Sequence, residues 1–84
     1  MRVVLESSLL ASALYDPLRH HLEIAFRSGQ RYLYFRVPPQ CYQQLLGADS
    51  KGAFFNQKIR NRFPFQRLAD HPHPVVLPAP SKTK

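Results

Sequence analysis

The sequence predicts a small α+β domain in which a three-stranded antiparallel β-meander precedes two short helices and a proline-rich C-terminal tail. With 84 residues, the chain can form one domain with a thin core. Apolar side chains alternate between residues 10 and 37, as in strands, and then recur at intervals of three and four, as in helices. Strands followed by helices are typical of two-layer α+β domains. We assign the domain to residues 1–68 and the tail to residues 69–84.

The first predicted strand runs from Leu10 to Tyr15. Along it Leu10, Ser12 and Leu14 alternate with Ala and Tyr residues, so one set points to each side of the sheet. The dipeptide Asp16-Pro17 stops the run and predicts a short turn to the next strand.

The next two strands are predicted to form a β-hairpin. Apolar side chains alternate in Leu22–Phe26 and again in Leu33–Val37. If Gly29-Gln30 are the central turn residues, the glycine supplies the positive φ that a type II′ turn requires. This register puts three apolar pairs on one face: Phe26 with Leu33, Ile24 with Phe35 and Leu22 with Val37. A turn centred on Ser28-Gly29 would shift the register but keep the same faces.

Two short helices are predicted after the hairpin. Proline fits the first helical turn, so the first helix begins near Pro39, and Gly47 closes it. Its apolar side is formed by Cys41 or Tyr42, Leu45 and Leu46. The second helix is capped by Asp49 or Ser50 and stops before Pro64. Its apolar side repeats at intervals of four residues through Phe55, Ile59 and Phe63.

The tail is predicted to be extended because four prolines between Pro72 and Pro80 forbid a helix and disfavour a central strand. Its apolar segment, Val75–Leu77, could lie on the body of the domain.

The charge balance restricts the partners. Twelve Lys and Arg against five Asp and Glu give a net charge of +7, which favours polyanions or acidic protein surfaces. The uncharged stretch from Ser7 to Tyr15 is far too short for a membrane span, so no membrane is expected among the partners. Glu6 interrupts a weak resemblance to a secretory signal, and a single cysteine cannot form an intrachain disulfide. We therefore expect a cytoplasmic protein.

Two sequence segments resemble a known family. Tyr32-Leu33-Tyr34, followed by the segment from Ser50 to Asn56 with the sequence SKGAFFN, is similar to the pattern of the KTSC domain. That short domain occurs at the C-terminus of some lysyl-tRNA synthetases and alone in small bacterial proteins. The resemblance covers residues 7–65 and implies the fold. It implies no established activity, although the synthetase context suggests RNA as a partner.

Basic residues are concentrated between residues 51 and 67, where five Lys and Arg but no Asp or Glu occur. On a helix beginning near Ser50, spacings of seven and four residues put Lys51, Lys58 and Arg62 along one flank. Such a flank suits phosphates and predicts a salt-sensitive nucleic-acid contact. The alternative is a solvated helix face without a ligand.

Tyr32 and Tyr34 are the candidate base-stacking residues. They point to the sheet face opposite Leu33, with Arg27 and Arg36 nearby, and exposed aromatic rings beside arginines stack the bases of single-stranded RNA. The alternative is that both tyrosines are core residues whose hydroxyl groups reach the edge of the domain.

No catalytic or metal site is expected. The pairs His20-His21 and His71-x-His73 lack a carboxylate or thiol cluster at compatible spacing, and Cys41 has no histidine nearby in sequence. The five carboxylates are scattered. We therefore expect no enzyme and no cofactor.

The sequence thus predicts a non-enzymatic basic module that binds RNA or another polyanion. The alternative function is a protein-interaction module that docks on an acidic partner or self-associates. That alternative would use the same basic face, an open sheet edge or the Val75–Leu77 segment. The sequence does not determine the oligomeric state.

Overall fold

The computed structural model describes residues 2–68, which form one antiparallel sheet and two helices. The α+β class is confirmed, but the sheet has five strands instead of the predicted three. The strands are β1 (Arg2–Val4), β2 (Leu10–Asp16), β3 (His21–Phe26), β4 (Arg31–Tyr34) and β5 (Phe65–Leu68). The helices are α1 (Pro39–Gly47) and α2 (Lys51–Lys58). The predicted proline-rich tail, residues 69–84, lies outside the described residues.

The strands lie side by side in their order along the chain, each antiparallel to its neighbour. Both helices are inserted between β4 and β5, so the chain leaves the sheet for two helices and returns to pair with β4. The two strands that the sequence prediction missed, β1 and β5, have three and four residues and form the edges. Strands this short contain too few positions for a periodic pattern, and pairing with a longer neighbour defines them.

The predicted register of the β3–β4 hairpin is wrong because the loop has three residues instead of two. The Gly29 amide donates to the Phe26 carbonyl at 2.9 Å, and the Phe26 amide donates to the Gln30 carbonyl at 2.8 Å. Gly29 has a φ of 102° and closes a loop over residues 27–29, as in hairpins with a turn and a bulge. The observed pairs are Leu22 with Tyr34, Glu23 with Leu33, Ile24 with Tyr32 and Ala25 with Arg31.

This register reverses the faces of β4, because a shift by an odd number of residues turns every side chain to the other side. Tyr34 now shares a face with Leu22 and Ile24, and Leu33 lies opposite Glu23 on the other face. Leu33, which was predicted to share the apolar face with Phe35 and Val37, therefore does not face the core, although Val37, beyond the end of β4, is buried.

The regular alternation predicted for β2 is also interrupted. Its register against β3 shifts between Leu10 and Ser12, as at a β-bulge. Leu10 and Ala13 are both fully buried as a result, although they are three residues apart. Tyr15 follows on the same side, and its hydroxyl donates to the Val37 carbonyl at 2.6 Å.

The first helix was predicted correctly, with Pro39 in its first turn and Gly47 as its last residue. Leu45 is fully buried beneath it. The Tyr42 ring stacks on the Tyr15 ring with centroids 4.7 Å apart, which fixes this helix over β2.

The second helix ends earlier than predicted. Ser50 caps it by accepting a hydrogen bond from the Ala53 amide at 3.2 Å. Phe55 and Ile59 are fully buried as predicted, but the helix stops at Lys58 instead of continuing to Phe63. Asn61, with a φ of 68°, turns the chain away, and asparagine tolerates this conformation better than most residues.

Both helices cover one face of the sheet, and the core lies between them and that face. The fully or nearly fully buried apolar residues are Leu5, Leu10, Ala13, Leu22, Ile24, Tyr34, Val37, Leu45, Phe55 and Ile59. The other face carries Glu23, whose Oε2 lies 3.0 Å from Arg2 Nη2 and 3.6 Å from Arg31 Nε. This face, which neither helix covers, is called the open face below.

Neither helix within residues 2–68 has the length and apolar character needed to cross a bilayer.

Candidate nucleic-acid interface

Five aromatic rings from β3, β4, β5 and α2 form a continuous cluster on the β4–β5 side of the covered face. Tyr34 is central, with its ring 5.6 Å from both Phe55 and Phe65 and 6.4 Å from Tyr32. Phe26 completes the cluster with an edge contact to the Tyr32 ring at 5.6 Å. The hairpin register brings these rings together, because it turns both tyrosines of the Tyr-x-Tyr segment toward the helices.

A groove of about 310 Å³ opens at the outer side of this cluster. Its wall combines apolar and aromatic side chains with hydrogen-bonding ones: Leu9, Phe26, Ser28, Gln30, Tyr32, Tyr34, Arg60, Asn61 and Phe65. We call it the aromatic groove. Among residues 2–68, no carboxylate lines it and Arg60 is the one charged residue that does. The groove therefore suits a ligand that is flat and neutral or anionic.

Tyr34 contributes a hydroxyl group to this groove. The side chain is 3% exposed, yet the hydroxyl forms no hydrogen bond to any of residues 2–68. Burial raises the pKa of Tyr34 to about 12, and the Arg60 guanidinium partly opposes this shift. The hydroxyl is therefore protonated at neutral pH and available as a donor or an acceptor.

Arg60 and Asn61 reach the groove from the turn that ends α2. The Arg60 Nη1 donates to the Asn56 Oδ1 at 3.3 Å, which orients the guanidinium across the end of the helix. Lys58 and Arg62 flank this turn, and both are exposed. The early end of the helix thus brings three cations to the same end of the molecule.

The predicted helix flank of Lys51, Lys58 and Arg62 is not continuous in the structure, because the helix ends before Arg62. Lys51 lies at the opposite end of α2, where its Nζ donates to the Ala48 carbonyl at 3.1 Å. The seven residues from Lys51 to Lys58 correspond to about 10 Å along a helix axis. Of the predicted flank, only Lys58 and Arg62 therefore lie at the end of α2 beside the groove.

The two arginines predicted to flank the tyrosines occupy separate positions. Arg27, in the hairpin loop, donates to the carbonyls of Ser7 and Leu5, each at 3.0 Å, and so ties the loop after β1 to the hairpin. Arg36 is exposed in the bend after β4, with a φ of 63°, and does not line the groove. Arg27 thus has a structural role.

Both tyrosines lie on the covered face, which corresponds to the second of the two alternatives for them. Tyr34 is buried and Tyr32 is half-buried. They do not form an exposed stacking platform on the open face. A ligand can therefore contact only those parts of the two side chains that line the groove.

The segment from Ser50 to Asn56 has structural roles at its first residues. The Ser50 side chain caps α2, and a Cβ at Gly52 would lie 3.4 Å from the Leu9 Cβ. Gly52 thus permits the loop before β2 to approach the helix closely. Asn56 supports Arg60, so this segment also helps to build the groove.

Among residues 2–68, no group of three or more His, Cys, Asp or Glu side chains could hold a metal ion. Burial raises the pKa of the Cys41 thiol, which makes it a weaker nucleophile at neutral pH. His71 and His73 lie outside the described residues.

Sequence reasoning missed Phe65, Asn61 and Gln30 as parts of the site. Phe65 is 51% exposed and lies on a strand too short to give a pattern. Gln30 and Asn61 come from loops whose course depends on the hairpin register and on the early end of the helix. Apart from the two predicted tyrosines, Arg60 was the groove residue that had a sequence signal, as a member of the basic segment.

The profile of the KTSC domain matches residues 6–63. The crystal structure of a KTSC domain protein from Yersinia pestis superposes with a TM-score of 0.79 at 36% identity, over 82% of this chain and 97% of that one. An uncharacterized protein of Stutzerimonas stutzeri is 54% identical over 59 residues, which are 70% of this chain and 83% of the relative.

Lysine–tRNA ligases also match this chain, over a slightly larger part of it than the Stutzerimonas stutzeri protein does. The ligase of Nostoc punctiforme is 39% identical over 64 residues, which are 76% of this chain but only 11% of the ligase. The ligase of Nostoc sp. is 34% identical over the same length. The similarity therefore concerns one small part of those enzymes. The family profile, the relatives and the solved structure agree, and the chain belongs to the KTSC domain family.

Proposed function

We propose that this chain is a small non-enzymatic module that binds RNA through the cations at the end of α2. The observation that carries the proposal is the group of Lys58, Arg60 and Arg62 around one turn beside the aromatic groove. All three are exposed and form no ion pair with residues 2–68. Phosphates attract such a group because neutralising them releases condensed counterions.

The relatives add support for RNA over other polyanions. Related segments occur in lysine–tRNA ligases, whose name states that they act on tRNA. A basic module appended to such an enzyme would add affinity for its RNA substrate without taking part in the reaction.

The proposal is tested by fluorescence anisotropy with a labelled single-stranded RNA at two salt concentrations. Three phosphate contacts would lower the association constant about 20-fold between about 50 and about 200 mM salt. Changing Lys58→Glu or Arg62→Glu should weaken binding by about fivefold each and reduce the salt dependence.

Arg19→Glu is the matched control, since it makes the same change in net charge. Arg19 is 71% exposed in the turn before β3 and does not line the groove. Equal losses in the control and in the Lys58 and Arg62 variants would mean that net charge alone drives binding, and the proposal would be wrong.

A second candidate function, docking on an acidic partner or self-association, has its own supporting observation. The open face carries the half-buried apolar side chains of Leu14 and Leu33 around the Glu23 ion pairs, and Val4 on the edge strand is 77% exposed. Edge strands and open sheet faces are common docking surfaces. Sedimentation velocity at rising protein concentration, repeated with Leu33→Lys, would detect self-association through this face.

A further inference from the structure

The aromatic groove has features that the phosphate contacts alone do not explain. Its volume of about 310 Å³ lies at the lower end of the range for small-molecule sites, about 300–1,000 Å³. A space of this size accepts one small ring system and its substituents but not a helix or a strand of a partner. The ligand is therefore a single group.

The wall of the groove offers ring faces at its outer side. Phe65 is 51% exposed, and its ring centre lies 5.4 Å from that of Tyr32, with the two planes inclined by 44°. Rings inclined in this way leave parts of their faces free for a third flat ring. Stacking of bases on aromatic side chains is tolerant of sequence, because every base has a π face.

The inner end of the groove offers a hydrogen-bonding group that has no partner among residues 2–68. The Tyr34 hydroxyl is attached to a side chain that is 97% buried, given its 3% exposure, and it lines the groove. The hydroxyl oxygen itself is accessible from the groove, so a bound ligand can reach it. A purely apolar ligand would leave this hydroxyl unsatisfied, so the expected ligand has a polar edge as well as a flat face.

The rim of the groove favours an anionic substituent. Arg60 reaches it with the Asn61 and Gln30 amides beside it, and no carboxylate of the described part of the chain lines the groove to repel an anion. A flat ring with a polar edge, attached to an anion, is the chemistry of a nucleotide.

We propose that the aromatic groove binds one unpaired nucleotide, with its base against Tyr32 and Phe65, the base edge at the Tyr34 hydroxyl and the phosphate at Arg60. This inference rests on the proposed function and adds selectivity to it. A base in a duplex is stacked and paired and cannot enter a groove of this size. The chain should therefore prefer single strands or splayed loops to duplexes of the same sequence.

Tyr34→Phe is the decisive variant, because it removes the hydroxyl and keeps the ring in the core. Loss of one neutral hydrogen bond should weaken binding of a single-stranded RNA by about 3- to 10-fold and leave binding of a duplex unchanged. Phe65→Ala should weaken single-strand binding as well. Tyr42→Phe is the matched control, since Tyr42 is a half-buried tyrosine that stacks on Tyr15, two strands away from Tyr34, and does not line the groove.

Four ligands are compared by anisotropy and by NMR chemical shifts of the aromatic side chains: single-stranded RNA, duplex RNA, a nucleoside monophosphate and heparin. Single-strand binding that falls in Tyr34→Phe but not in Tyr42→Phe supports the groove. If the wild type and Tyr34→Phe bind single-stranded RNA equally well, the proposed nucleotide site in the groove is overturned and the proposed phosphate contacts remain. If the nucleoside monophosphate changes the chemical shifts of the groove side chains but no RNA binds, the nucleotide site is retained and the RNA function is rejected. If the monophosphate causes no chemical-shift changes and no RNA binds, both proposals are overturned.

Discussion

At the scale of single residues, Tyr34 contributes to both the core and the site. Its ring contacts Phe55 in the core and Phe65 at the edge of the sheet, while its hydroxyl lines the groove. The hydroxyl oxygen is accessible from the groove, where water or a ligand can be its hydrogen-bond partner. Phenylalanine would fill the same space in the core, so what tyrosine adds at this position is a hydrogen-bonding group that lines the groove.

The raised pKa of Tyr34 predicts a loss of stability at alkaline pH. The pKa is about 12 in the folded chain against 10.0 ordinarily, so the unfolded chain releases this proton first. The contribution to the free energy of unfolding is therefore complete below pH 10 and falls as the pH rises from 10 to 12.

Urea unfolding followed by circular dichroism across that pH range measures this effect. Tyr34→Phe should make the free energy of unfolding fall less steeply with pH. Burial also raises the pKa of Tyr15 and Tyr42, so part of the slope should persist. If Tyr34→Phe has the same slope as the wild type, the burial of this hydroxyl is misjudged.

At the scale of elements, the loop between β3 and β4 determines which side chains become core. Gly29 permits a three-residue loop, and that loop length turns both tyrosines toward the helices. A two-residue loop would have turned them away. The groove exists because of this one turn.

The turn can be tested with a pair of glycine substitutions. A Cβ at Gly29 meets no atom within 4 Å, so Gly29→Ala reports only the strain of its φ of 102°. We expect it to lower the free energy of unfolding by about 1 kcal/mol or more.

Gly47→Ala is the control, because Gly47 also has open space around it but lies at the end of α1 without a positive φ. It should leave the stability unchanged or raise it by up to about 1 kcal/mol, since alanine favours the helix. Equal effects at both glycines in thermal or urea unfolding would contradict the hairpin geometry described above.

At the scale of the whole molecule, β5 completes both the sheet and the groove. It pairs with β4 only after two helices have intervened, and Phe65 then packs on the rings of Tyr32 and Tyr34. Pairing between segments so far apart in sequence forms only when the rest of the core holds β4 in place.

Two truncations test this role of β5. We expect a chain that ends at Leu68 to keep the unfolding midpoint of the full chain, since residues 1–68 are predicted to form the domain. A chain that ends at Phe63 lacks β5 and should be less stable by about 2 kcal/mol or more, because aromatic surface in β4 becomes exposed. Equal midpoints for the two shortened chains would show that β5 contributes little.

Much of this architecture was predictable. The α+β class, the first helix, the Ser50 cap as one of two alternatives and the burial of Phe55 and Ile59 all follow from local periodicity and capping rules. The family was also identifiable from two short segments. For the site, the sequence indicated a basic segment and two tyrosines, but it did not indicate that Arg60 and both tyrosines line one groove.

The sequence by itself determined what is local: where strands alternate, where proline and glycine interrupt them and where the positive charge lies. The tertiary structure alone decided the number of strands, the end of the second helix and the face on which the tyrosines lie. The physical reason is that strand pairing has a period of two, so one additional residue in the loop before Arg31 reverses every side chain of β4 at little local cost. Only packing of that strand against the helices distinguishes the two arrangements.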